Sequence, residues 1–338
     1  MIIVALIAKA YRSKFLPTPS DVYNHFRPLP YPTKDCTGMT VIVTGANTGI
    51  GREAARHFVR LNAARVILGC RNTTKGEAAK TSIETSTGRP DVVEVWQVDL
   101  GSFASVREFC RRADARLDRL DVLLENAGVA VLPHRPLEGH NEEITVNVIS
   151  TMLMGLLLLP VLRRTAMRFN TVPHLTFVAS GGHYYTDLEE VRDAASIFDE
   201  LRRDRDMKSR YMVSKMLLLL AVRQLATETN TSGKPQVVIN MLNPGFCRTE
   251  LWRNTPAAFR WIVDLVGLTA RSSEMGSRTL FSAAVAGEET HGRYMSNCVL
   301  SDESPWARSP QGYEVQGRVS AELKAIVDGV DPGVSNNI

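Results

Sequence analysis

The sequence predicts a single-domain α/β fold, a doubly wound parallel sheet of about seven strands with helices on both faces. Three observations predict it. From Met39 onward, short apolar runs rich in β-branched residues alternate with segments of helix length, the pattern of strand-helix crossover units. The runs are apolar on successive residues rather than on every second one, as strands covered on both faces are. Directly after the first run, and before the first helix, stands a glycine-rich turn.

The elements follow in order. Strands are expected at 40–44, 65–69, 92–98, 121–124, 175–179, 237–242 and 293–300, and helices at 50–61, 74–86, 102–117, 142–167, 210–228 and 274–286. Such crossovers are right-handed and leave ligands at the carboxyl ends of the strands. Ahead of this domain (38–300), residues 1–37 form an irregular arm containing Pro17, Pro19, Pro28, Pro30 and Pro32. A charge-rich stretch is read at 186–208, an apolar and aromatic one at 246–272, and a tail at 301–338.

Composition narrows the function. The 338 residues are 44% hydrophobic and 22% charged, ordinary globular usage. Forty Lys and Arg against 36 Asp and Glu leave a formal charge of +4, too small to supply a phosphate-backbone surface, so nucleic acid is not the expected partner. The five scattered cysteines show no metal-ligand spacing, so no metal is expected and a reducing compartment is. The apolar start at residues 1–8 and the stretch 152–162, which contains Pro160, are both short of the roughly 20 residues that a bilayer span needs. The reading is a soluble, cytoplasmic protein. Attachment at an intracellular membrane surface through residues 1–15 is the alternative.

The turn reads Thr44-Gly45-Ala46-Asn47-Thr48-Gly49-Ile50-Gly51. Its glycines permit a tight turn that brings backbone N–H groups and a helix N-terminus up to a pyrophosphate. Further along stand Asn126-Ala127-Gly128 after the fourth strand, Asn147 within a long apolar helix, Ser180 at the end of the fifth strand, Tyr211 and Lys215 four apart, then Pro244-Gly245 and Thr249. In this order and wording the chain resembles the short-chain dehydrogenase/reductase family over about residues 38–300. The phrases at 69–72, 125–128 and 145–150 look most like its retinol-dehydrogenase-like branch and fungal secondary-metabolism relatives. The resemblance implies a Rossmann-like sheet, and makes the charge-rich stretch 186–208 an insertion and the apolar stretch 246–272 a substrate lid.

It also implies roles. Gly45, Asn47, Thr48, Gly49, Ile50 and Gly51 would cradle the dinucleotide. Asp99 and Leu100 would meet the adenine, Asn126, Ala127 and Gly128 would lie along a ribose, and Pro244, Gly245 and Thr249 would bound the nicotinamide. The alternative for Thr249 is a helix N-cap before Glu250. Glu125 stands where many members carry a second asparagine. Arg71 follows the second strand with no acidic residue between 65 and 76, which favours NADP(H) over NAD(H).

Tyr211 and Lys215 lie one helical turn apart on one face. A free phenol with a pKa near 10 is a poor proton donor and acceptor at neutral pH. An ammonium about 5 Å away would lower it by roughly two units, at an effective dielectric near 20. In the family pattern Tyr211 passes the proton, Ser180 orients the substrate oxygen, Lys215 also touches the nicotinamide ribose, and Asn147 supports a proton relay. Tyr211 and Lys215 thus count as both catalytic and cofactor-binding. The function expected is a ketoreductase or alcohol dehydrogenase acting on a bulky lipophilic carbonyl or secondary alcohol, in natural-product biosynthesis. A non-redox isomerase or cyclase, or a nucleotide-sensing scaffold, are the alternatives. A homodimer or homotetramer is what the resemblance implies for assembly.

Overall fold

Strand β1 (Thr40–Thr44) is buried at every position, as a central strand covered on both faces must be. The computed structural model around it describes residues 27–131, 135–203, 210–248 and 270–338. Residues 1–15 of the arm, the end of the insertion, Thr249 and most of the lid lie outside the described residues.

The sheet continues through β2 (Arg65–Cys70), β3 (Val93–Gln97), β4 (Val122–Glu125), β5 (His174–Val178), β6 (Val238–Asn243), β7 (Tyr294–Ser296) and β8 (Val299–Ser301). Its spatial order is β8-β7-β6-β5-β4-β1-β2-β3. Every pairing is parallel except β7 with β8. The chain winds one way from β1 to β3, then returns to place β4 on the other side of β1. That reversal opens a crevice at the carboxyl ends of β1 and β4. The run at 293–300, expected as one strand, is two. Asn297 and Cys298 both adopt left-handed backbone, φ 55° and 64°, and make a two-residue reversal.

Period-two alternation divides the strand side chains between two cores. Ile42, Leu123, Leu175 and Ile239 point to one, and Val41, Val43, Leu124 and Leu242 to the other. Helices α1 (Gly49–Arg60), α2 (Thr73–Thr87) and α7 (Ser273–Ala284) cover the second core. The first is covered by α3 (Phe103–Arg116), α4 (Glu142–Phe169), α6 (Arg210–Thr231) and α8 (Pro310–Val330). By length and composition α4 would suit a membrane, but 89% of its apolar window is buried inside the protein. Its hydrophobicity therefore belongs to the core.

Two irregularities in α4 have local causes. Residues Thr145–Ser150 form a π turn, and Thr151 Oγ1 donates to the Val146 carbonyl at 2.9 Å. Further on, Pro160 has no N–H for the carbonyl of Leu156. The side-chain amide of Asn337 donates to that carbonyl instead, at 3.1 Å.

The described part of the insertion packs inward. Leu188, Val191 and short helix α5 (Ile197–Arg202) contribute buried apolar side chains. The chain beyond residue 301 folds back over α4 and α6, burying Val315, Val319, Leu323, Val327 and Val334 in the first core. Glu322 on α8 accepts from Ser196 Oγ and from the amides of Ile197 and Phe198, each at 3.0 Å, so it caps α5.

Candidate active site

A cleft of about 500 Å³ opens where β1 and β4 diverge, lined by the strand-end turns of both halves of the sheet. On one wall, Gly45 and Gly49 take left-handed backbone, φ 65° and 60°. A Cβ on Gly51 would stand 2.4 Å from Asn126 Nδ2 and 2.9 Å from the Gly45 carbonyl oxygen, so only glycine fits there. Thr48, the N-cap of α1, makes no side-chain cap bond, and the first turn contains no acid. Its amides are left aimed at the cleft, the setting that suits an anion.

Asn126 belongs to this turn. Its Nδ2 donates to the Thr44 carbonyl at 2.8 Å, and its own amide donates to Thr44 Oγ1 at 2.9 Å. Thr44 Oγ1 also accepts from Ala127 N at 3.0 Å and donates to Glu125 Oε2 at 3.1 Å. Burial pushes the Glu125 carboxyl up to about 8, although the Thr44 bond pulls the other way. The acid that replaces the family's second asparagine thus folds as a neutral group behind the cleft wall.

At the end of β2, Arg71, Asn72 and Lys75 line the cleft. Asn72 accepts from Lys75 N at 2.8 Å, which caps α2 and fixes the first turn on which the lysine stands. Lys75 was not among the residues expected from sequence. Its signal is the spacing of four from Arg71, and it becomes meaningful only once Asn72 starts a helix there. Asp99 and Leu100 line the same wall, and Asp99 Oδ1 accepts from Gly101 N at 2.9 Å.

Asn147 lies just behind the lining, buried inside the π turn. Its Oδ1 accepts from Val129 N at 2.8 Å, and its Nδ2 donates to Val129 O at 2.9 Å and Ser214 Oγ at 3.0 Å. Ser214 Oγ donates in turn to the Tyr211 carbonyl at 2.7 Å. One helical turn earlier, Glu143 Oε1 accepts from Val131 N at 3.2 Å. Residues 143 and 147 therefore grip alternate residues of the segment after β4. Sequence reading did not identify Glu143. Burial pushes its carboxyl up to about 7, opposed by the Val131 amide and Arg210.

Ser180, Tyr211 and Lys215 meet on the cleft lining. The Ser180 and Tyr211 side chains share a hydrogen bond, and Ser180 Oγ also accepts from Gly182 N at 3.0 Å. The Lys215 ammonium lies 5.9 Å from the Tyr211 ring centre and donates to the Val178 carbonyl at 2.8 Å. The lowering expected from Lys215 meets an opposing effect, the burial of the phenol. Burial raises Tyr211 above 10, the Ser180 bond offsets part of that, and the Glu143 charge adds to it. Lys215 is itself brought down to about 8 by burial.

Pro244 and Gly245 complete the lining, with Phe246 and Cys247 beyond them. Of the expected site residues, Gly45, Asn47, Thr48, Gly49, Ile50, Gly51, Arg71, Asp99, Leu100, Asn126, Ala127, Gly128, Ser180, Tyr211, Lys215, Pro244 and Gly245 share this one cleft. Asn147 supports it from behind, and Thr249 lies outside the described residues. Among the described residues, no group of three His, Cys, Asp or Glu could hold a metal ion.

Comparison with known proteins agrees with this architecture. The family model described as short chain dehydrogenase matches residues 39–180. The short chain dehydrogenase/reductase dmxR8 of Cryptosporiopsis sp. is 40% identical over 318 residues, covering 92% of this chain and 97% of that protein. The short chain dehydrogenase atnD of Emericella nidulans is 43% identical over 293 residues, 85% of this chain and 91% of that one. Among solved structures, the RhlG/NADP active-site complex of Pseudomonas aeruginosa superposes with a TM-score of 0.58 at 23% identity, covering 79% of this chain and 97% of that one. A putative short chain dehydrogenase from Escherichia coli CFT073, complexed with NADPH, gives 0.57 at 22% identity over 79% and 99% of the two chains. The chain belongs to the short-chain dehydrogenase/reductase family, oxidoreductases that act on small molecules with a nicotinamide cofactor.

Proposed function

We propose that the protein is an NADPH-dependent reductase of a bulky lipophilic ketone or aldehyde, or the reverse dehydrogenase of the corresponding alcohol, in fungal natural-product biosynthesis. The observation that carries this reading is the Ser180–Tyr211 hydrogen bond with the Lys215 ammonium one helical turn away, on the cleft that also holds the glycine turn.

The residues fit the cofactor. The uncapped N-terminus of α1 and the glycine turn suit the pyrophosphate, and the spacing at Gly51 leaves room for backbone alone. Arg71 and Lys75 place two cations after β2, which suits a 2′-phosphate better than a bare ribose hydroxyl. Two structural neighbours are named as complexes with NADP or NADPH, in keeping with this preference. A bound reduced nicotinamide supplies the hydride. Tyr211 donates the proton to the carbonyl oxygen, and the Ser180 hydroxyl holds that oxygen beside it. Lys215 stabilises the phenolate left behind. Asn147 fixes the wall through Val129, and fixes α6 through Ser214.

Two measurements test the reading. Purified protein mixed with NADPH and a panel of lipophilic carbonyls, including 9,10-phenanthrenequinone, should oxidise NADPH. Tyr211→Phe should cut turnover by about 100-fold or more while leaving NADPH binding within about two-fold. Undiminished turnover would sink the mechanism, and substrate conversion without NADPH oxidation would point to isomerase chemistry. For cofactor choice, the double variant Arg71→Ala/Lys75→Ala should raise the KM for NADPH about ten-fold or more and that for NADH less than about two-fold.

A further inference from the structure

His183 follows Ser180 by three residues in the 3₁₀ turn Gly181–Tyr185, and its side chain is wholly buried. Both ring nitrogens are used. Nδ1 lies 2.6 Å from the Ser180 carbonyl oxygen, and Nε2 lies 3.1 Å from the amide nitrogen of Ser304. A backbone amide can only donate, so Nε2 accepts and the proton sits on Nδ1, which donates to Ser180. The partners thus fix one neutral tautomer. Burial also pushes the imidazole down to about 4.

The far partner is itself anchored. Ser304 Oγ accepts from Ala307 N at 3.2 Å, and the Ala307 carbonyl accepts from Arg223 Nη2 at 2.7 Å. Arg223 stands on α6, the helix of Tyr211 and Lys215, and its Nε donates to Gln316 on α8. Next to the imidazole, the Tyr294 ring packs edge-on with centres 5.0 Å apart. A continuous polar path therefore runs from the backbone of Ser180, through His183 and the segment after β8, back to the tyrosine helix.

We propose that His183 is a positioning residue for Ser180, and that through it the chain beyond residue 301 becomes part of the active-site architecture. This rests on the reading of Ser180 as the group that holds the substrate oxygen. The turn Ser180–His183 is closed by two local bonds, Gly182 N to Ser180 Oγ at 3.0 Å and His183 N to Ser180 O at 3.4 Å. The imidazole adds the shortest bond on that carbonyl and ties the turn to an element more than 100 residues away in sequence.

Two substitutions separate the two ends of the imidazole. Asparagine places an N–H where Nδ1 was and keeps the Ser180 bond, whereas glutamine places an acceptor near Nε2 and keeps the Ser304 bond. With NADPH and 9,10-phenanthrenequinone, His183→Gln should lower kcat about ten-fold or more with the KM for NADPH within about two-fold, and His183→Asn, which keeps the Ser180 bond but loses the anchor at Ser304, should lower kcat by a smaller factor of about three-fold. Hydrogen–deuterium exchange of the full chain should show faster uptake at 177–185 in His183→Gln and at 302–308 in His183→Asn. Equal loosening of both segments in both variants, or a wild-type kcat in His183→Gln, overturns the proposal. A wild type that turns over no carbonyl sinks the reductase reading instead, and the exchange arms still decide the clamp. If neither variant folds, ¹⁵N NMR of the unaltered protein decides: a protonated Nε2 overturns the proposal, and a protonated Nδ1 with bare Nε2 supports it.

Discussion

Lys215 is buried at the cleft lining, and that has a thermodynamic consequence apart from catalysis. Its folded pKa of about 8 lies below the ordinary 10.5, so between these values the unfolded chain binds more protons than the native one. Stability from this group rises with pH across that window, and below pH 8 the full cost of burying the charge is present. That cost is of the order of 3 kcal/mol, larger than the roughly 1 kcal/mol supplied by the bond to Val178. Lys215→Met should abolish turnover yet raise the melting temperature at pH 7, with the gain shrinking from pH 8 to pH 10. A variant less stable at pH 7 would show that the Val178 bond outweighs desolvation. Much of the site at this scale was legible in sequence, because a turn at a strand end carries its cleft residues as neighbours: Gly45 to Gly51, and Asn126 to Gly128. What escaped reading depends on partners distant in sequence. Lys75 needs the Asn72 cap to face the cleft, Glu143 matters through Val131, and the Tyr211 phenol is governed by burial that no spacing reveals.

At the scale of elements, α4 is the instructive case. Its apolar run is plain in the sequence, and Pro160 inside it argues for a break. The helix nevertheless continues to Phe169, because Asn337 supplies the donor that Pro160 lacks. That compensation comes from the chain's last turn, where local propensity has no access to it. Asn337→Ala should cost about 1–2 kcal/mol, since it leaves the Leu156 carbonyl buried without that donor. Pro160→Ala restores a backbone N–H, so Asn337→Ala should cost markedly less in that background. Denaturant melts of the two single variants and the double variant measure the coupling, and strict additivity would refute the pairing. The division of the 293–300 run into β7 and β8 is a similar case. Asn297 is a common left-handed residue, but Cys298 is not, and hydrophobicity alone joins the two strands.

At the scale of the whole molecule, the sheet order and its switch point follow from strand-helix alternation, which is why the fold class was readable from patterning. The association of the insertion with the C-terminal segment was not, because it depends on polar contacts between regions more than 100 residues apart. Glu322 caps α5, and Arg318 donates to the carbonyls of Arg192 and Ala194; outside the insertion, Lys324 pairs with Glu228 on α6 at 2.6 Å. Beneath these contacts, α8 presents Val315, Val319, Leu323 and Val327 to the core, one apolar stripe at helical spacing. Helices α4 and α6 are apolar both toward the sheet and toward α8, so removing α8 would expose a continuous hydrophobic face. Deletion of residues 302–338 should therefore yield a chain that aggregates or binds a hydrophobic dye, with NADPH oxidation lost. Size-exclusion chromatography, dye binding and turnover measured together check this. A soluble, dye-silent and fully active truncation would show that the segment is only an appendage to the sheet, and would remove the structural basis for coupling it to Ser180.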